Sequence, residues 1–174
     1  MPSGRPVGTS SARPDIAAYL AANPGEILER VATKFSASTL DVLRALPERE
    51  RTLVGAEEFD SVMADLTSWG EVLLIVHTPS IVLECKGQIP AGSHAHGYFN
   101  IHGESPIGGH IKSDICSEIA FVSRNLMGRA SCSVQFFDKA GDAMFKVFVR
   151  RDENREMLVD QVQKFEDLRL KLDR

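Results

Sequence analysis

The sequence has few cysteines, no excess of positive charge and no long apolar run, and each shortage closes a class of function. Cysteine occurs three times in 174 residues, at Cys85, Cys116 and Cys132. Three scattered thiols cannot form a disulfide framework; they suit a reducing compartment, which predicts a cytoplasmic protein. Lysine and arginine number 20 against 24 acidic residues, a formal net charge of -4. That balance argues against non-specific attraction to nucleic acid or anionic lipid. No apolar stretch approaches the roughly 20 residues that span a bilayer, so no membrane insertion is expected. The opening MPSGRPVGTSSARP also lacks an apolar stretch. It reads as neither signal nor anchor, and residues 1–14 are expected to form a disordered tail.

What is present is ordinary for a globular chain: 43% hydrophobic and 25% charged residues, with enough length for one domain over residues 15–174. Asp15, before IAAYLA, predicts a capped short helix. Asn23-Pro24 predicts a second start, followed by Ile27, Leu28, Val31 and Phe35 at helical spacing. Ser38 predicts the cap of a third helix carrying Leu40, Leu43 and Leu46. A fourth, from about Glu57 to Ser68, aligns Phe59, Val62, Met63 and Leu66 and ends at Gly70. These make a helical lobe over 15–69.

The texture over 70–150 is that of strands. Val72–Thr78 and Ile81–Lys86 flank Pro79-Ser80 as a hairpin. Ala95–His102, Ile115–Ser123, Ala130–Phe137 and Ala143–Val149 are further strands, with Asp138–Gly141 a turn. Met157, Val162, Phe165, Leu168 and Leu172 predict a long closing helix over 152–172. Helices, then antiparallel strands, then a helix give an α+β fold with a large antiparallel sheet.

All five histidines fall between positions 77 and 110. His77 ends an apolar row, since Leu73, Ile75 and His77 share one strand face. It suits a half-buried imidazole bonded to a carbonyl, or an iron ligand in an apolar pocket. His94 and His96, two apart, would face one side of a strand and could chelate a metal. No further ligands at a recognised spacing follow, so His96 reads better as part of a pocket wall. His110 follows Gly108-Gly109, which permits close backbone approach to a flat ligand; a solvated loop histidine is the alternative. Lys112 suits an acidic ligand group, or plain solvent exposure.

Other motifs carry less. There is no G-x-S-x-G elbow, and Gly103–Gly109 matches neither phosphate-binding glycine pattern. Residues 27–46 have a helix-turn-helix outline. Its second helix offers Ser38, Thr39, Asp41 and Arg44, a poor set for reading bases, and a structural lobe explains it better.

Several blocks together resemble a known family. WGEVLLIVHT, SHAHGYFNIHG, GGHIK, LMGRASCSVQFF and GDAMFKVFVRRDENREML stand in the order found in the bacterial cytosolic haem-utilisation carriers, over about residues 15–172. The resemblance implies a haem-utilisation-carrier-like α+β fold, a homodimer, and intracellular binding of haem and its transfer to an acceptor or degrading protein. It implies His77 and His110 as the haem-binding histidines, from one subunit or two. The family often has an aromatic before the Met-Gly of LMGRASC; here Leu126 precedes Met127-Gly128, so Met127 and Leu126 are expected at an apolar pocket wall. No donor set for oxygen activation is recognisable, which favours a carrier over a haem-degrading or haem-reducing enzyme, the alternative. A helix-turn-helix regulator is the second alternative.

Overall fold

The computed structural model describes residues 13–174, so most of the expected tail lies outside the described residues. Three short helices open the chain: α1 (Pro14–Ala22), α2 (Leu28–Phe35) and α3 (Thr39–Arg44). Strand β1 (Arg51–Gly55) and helix α4 (Phe59–Leu66) follow. Then come β2 (Glu71–His77), β3 (Val82–Gln88), β4 (Gly92–Ala95), β5 (Tyr98–Ile101), β6 (Gly109–Ile111), β7 (Cys116–Leu126), β8 (Arg129–Asp138) and β9 (Ala143–Phe148). Helix α5 (Val159–Leu172) closes the chain.

The strands form two sheets: six strands in the order β1-β7-β8-β9-β2-β3, and three in the order β4-β5-β6. Every neighbouring pair is antiparallel. Side chains alternate across the larger sheet and feed two cores. On β7, Ile119 and Phe121 point into a core with α4, α5 and the small sheet, where Trp69, Phe99, Phe136 and Phe165 are buried. Ala120 and Val122 point to the opposite face, against Ile16, Leu20, Val31 and Leu43 of the N-terminal helices. Cys116 and Cys132 lie in the first core, and burial pushes both thiols above their ordinary value, so they remain protonated.

One buried amide ties the layers together. Gln161 of α5 donates to the carbonyls of Trp69 and Glu71 at 2.9 and 2.7 Å. Its Oε1 accepts the Arg150 amide at 2.8 Å. Fully partnered, it joins α5 to the start of β2 and the end of β9.

The expected α+β architecture is present, with local differences. Asp15 does not cap α1; Arg13 takes the cap position, and Asp15 in the first turn pairs with Arg13, which lowers its carboxyl value. Asn23-Pro24 ends α1 instead of starting α2: the Asn23 amide bonds back to the Tyr19 and Leu20 carbonyls. Proline also follows helix ends readily, so the signal points both ways. Ser38 does cap α3, in a reciprocal box with Asp41. The run Ala95–His102 is not one strand. His96 and Gly97 form the turn of a hairpin at φ 55° and 80°, joining β4 to β5. His94 and His96 therefore do not share a strand face. The closing helix begins at Val159, because Asp152 Oδ1 accepts the amides of Asn154 and Glu156 in a turn.

Residues 27–46 are a structural lobe. Thr39 is buried, Ser38 and Asp41 cap each other, and Arg44 pairs with Glu118 of β7. The polar groups that a base-reading helix would present are buried or already paired within the fold.

Candidate functional site

The N-terminal helices cover only part of their sheet face. Over β7 they seal it; toward β8, β9 and β2 it stands open beside α2. The result is a solvent-open cleft whose lining includes Ile75, His77, Lys146 and Phe148. Register sets its floor. Ile75 on β2 lies opposite Lys146 on β9, which lies opposite Gln135 on β8. His77 lies opposite Val82 on β3, at the open edge. Ile27, Leu126 and Phe148 supply further apolar wall.

Charge in the cleft is arranged around α2. The Glu29 carboxylate takes the ammonium of Lys146 through Oε1. Its other oxygen lies 3.6 Å from Nδ1 of His77. Lys146 is 8% exposed and His77 24% exposed, so the pair is more shielded from screening than a surface pair. Arg124, on β7, donates from Nη1 to the Glu26 carbonyl at 2.9 Å, and Nε lies 3.9 Å from Glu50. Burial lowers its guanidinium value, against the opposing pull of Glu50 and Glu26; an arginine stays charged regardless. Two buried cleft atoms, Arg124 Nε and Gln135 Oε1, have no hydrogen-bond partner among the described residues. Such atoms cost about 1–3 kcal/mol each unless a ligand or water meets them.

The β7–β8 hairpin forms the rim. Met127 and Gly128 take φ 51° and 83° in its turn, and the Met127 amide donates to the Gly25 carbonyl at 3.0 Å. The tip is thus pinned to the α1–α2 loop. Met127 is 75% exposed there.

The candidate residues divide between two places. His77 and Met127 line the cleft, with Leu126 beside Met127. His110, Lys112 and His96 lie on or near the small sheet. His110 is exposed on β6, with Nδ1 2.6 Å from Asn100 Oδ1 and the rings of Tyr98 and His102 at its sides. Lys112 holds its ammonium 5.6 Å from the centre of the Tyr98 ring. His96 is exposed in its turn. His94 Nε2 meets both oxygens of Asp60 at 2.8 and 2.9 Å. Among the described residues no three His, Cys, Asp or Glu side chains gather to hold a metal ion. Glu29, Arg124 and Lys146 were not anticipated. Lys146 had a signal: a lone charge inside the apolar strand MFKVFV.

The profile of the family Haem utilisation ChuX/HutX matches residues 52–168. The chain belongs to this family. A ChuX/HutX relative from Vibrio cholerae serotype O1, the intracellular heme transport protein HutX, is 31% identical over 156 residues, 89% of this chain and 81% of that protein. The crystal structure of a protein from Agrobacterium tumefaciens is 48% identical, with a TM-score of 0.83, covering 91% of this chain and 90% of that one. The structure of the heme binding protein ChuX is 38% identical with a TM-score of 0.84, covering 91% and 99%.

Proposed function

We propose that the chain binds haem in the cleft beside α2 and hands it on, with His77 as an axial ligand of the iron. The observation that carries this is a single imidazole at the end of an apolar cleft, its Nδ1 turned to a carboxylate, which leaves Nε2 for a metal. Haem needs an apolar slot, an axial donor and positive charge for two carboxylates. Ile27, Ile75, Val82, Leu126 and Phe148 offer the slot, and Arg124 the charge. Burying roughly 400 Å² of ring at about 25 cal/mol per Å² is worth on the order of 10 kcal/mol before association costs. The imidazole selects iron porphyrins from other flat molecules.

The relatives named for heme transport and heme binding support the same reading. We place the protein in the cytoplasm, in keeping with three free thiols and with the absence, among the described residues, of any helix long and apolar enough to cross a membrane. We take it to act as a homodimer. Strand β3 is an open sheet edge with Ile81, Val82 and Leu83 each more than half exposed, a surface that pairing would protect. In such a dimer the partner subunit's His110 is a natural second contributor. An open cleft favours release over turnover, so we read a carrier in preference to a haem-degrading enzyme.

Haemin titration tests this. A sharpened, shifted Soret band that saturates at a fixed stoichiometry and weakens in His77→Ala supports it. Binding that is the same in His77→Ala sinks the assignment of His77. Loss of the band with product release under air and ascorbate would replace carriage with degradation.

A further inference from the structure

The haem reading leaves one buried pair without a task. Lys146 and Glu29 join β9 to α2 beneath the cleft, and Glu29 also reaches the ring of His77 on β2. A buried ion pair adds little net stability, because desolvation offsets attraction. Well-packed apolar residues would fix α2 to the sheet as well as this pair does. What apolar residues cannot supply is an acceptor for an imidazole N–H.

We propose that Glu29 is a positioning residue for His77: it holds the ring with the proton on Nδ1 and Nε2 open to iron. This rests on the haem reading above. A free histidine ring carries its proton on either nitrogen, and the partner of one nitrogen decides which is left to ligate. A carboxylate accepting from Nδ1–H fixes both tautomer and ring orientation, and it makes Nε2 a stronger donor. The geometry has these parts in order: ammonium, carboxylate, imidazole, cleft. Three separate elements, β9, α2 and β2, supply them. The 3.6 Å gap between Glu29 Oε2 and Nδ1 is longer than a formed hydrogen bond. A pull of iron on Nε2, which sharpens the acidity of the Nδ1 proton, is expected to close it.

The test compares wild type with Glu29→Leu/Lys146→Met, which removes both charges and leaves no buried ion unpaired. Lys146→Met alone is the control, since Glu29 remains available to His77. Nitrogen NMR of the haem-free proteins reads the tautomer of His77. It should be the Nδ1–H form in wild type and in Lys146→Met, and should shift toward Nε2–H in the double variant. In the haem complexes reduced to the ferrous state with dithionite, the iron–histidine stretch should fall in frequency, and the haem midpoint potential should rise, in the double variant. Haem dissociation should quicken about tenfold or more. Wild-type His77 with its proton on Nε2, or a double variant with the tautomer and stretch unchanged, overturns the proposal. The NMR result stands even if no form binds haemin. In that event the haem reading fails separately, and the tautomer still judges Glu29.

Discussion

The two sheets present the same side chain in opposite settings. His77 closes a strand of the larger sheet, half-buried, beside a carboxylate and above a hollow. His110 lies on a three-residue strand of the small sheet, exposed, its Nδ1 occupied by Asn100. Neither setting follows from histidine itself. The larger sheet makes a binding wall because helices cover half of one face and leave the rest open. The small sheet lends its buried Phe99 and Ile101 to the shared core and shows its polar side to solvent. A ligand that needs walls goes to the first; the second offers donors to something that arrives already held.

The sharpest way to break this contrast is to delete each imidazole in turn. His77→Ala should weaken haemin binding about 100-fold, near 2.7 kcal/mol, since it removes the only imidazole lining the cleft among the described residues. His110→Ala should cost at most about tenfold, because no cleft wall is lost. Equal losses in Soret titrations would mean that the two histidines meet one iron, which requires a subunit contact that unites the sheets.

A smaller effect probes the rim. Leu126 lines the cleft on a hairpin pinned at Met127 to the α1–α2 loop. Leu126→Phe places a ring against that wall. Aromatic stacking worth about 0.5–1.5 kcal/mol should tighten haemin binding roughly 2- to 10-fold. A loss of affinity would show that the ring blocks the cleft instead of lining it.

How much of this was legible depends on how local each cause was. The β2–β3 hairpin, the Asp138–Gly141 turn, the α4 stripe and the Ser38 cap all follow from neighbouring residues, and the structure has them. Strand β1 was not expected. Its sequence RTLVG has one buried residue, Val54, and it is a strand because β7 pairs with it. The split at His96-Gly97 hid behind an apparent alternation, since residues other than glycine uncommonly take a positive φ. The cleft was the least legible part. His77 marked one corner from its place in an apolar row. Glu29 and Arg124 are ordinary surface residues in sequence, and they join His77 only when α2 and the β7–β8 hairpin fold over the sheet. Such contacts span distant positions, and no local pattern encodes them.

The smallest expected effect concerns the hydrogen-bonded contact that joins the small sheet to α4. His94 and Asp60 make a close pair, yet their side chains are 53% and 65% exposed. Water and salt screen such a pair, and ordering two exposed side chains offsets much of what remains. The ring of His94 also lies edge-on to Phe99, which is itself held by Phe59 in the core. Core packing through Phe99, then, and not the contact with Asp60, keeps the small sheet in place. His94→Ala should change unfolding free energy by no more than about 0.5 kcal/mol in urea denaturation, and haemin affinity not at all. If instead it lowered stability by several times that amount, or weakened haemin binding as His77→Ala does, the small sheet would hold more of the site than its exposed surface suggests. The division of roles between the two sheets would then have to be redrawn around His94 and Asp60.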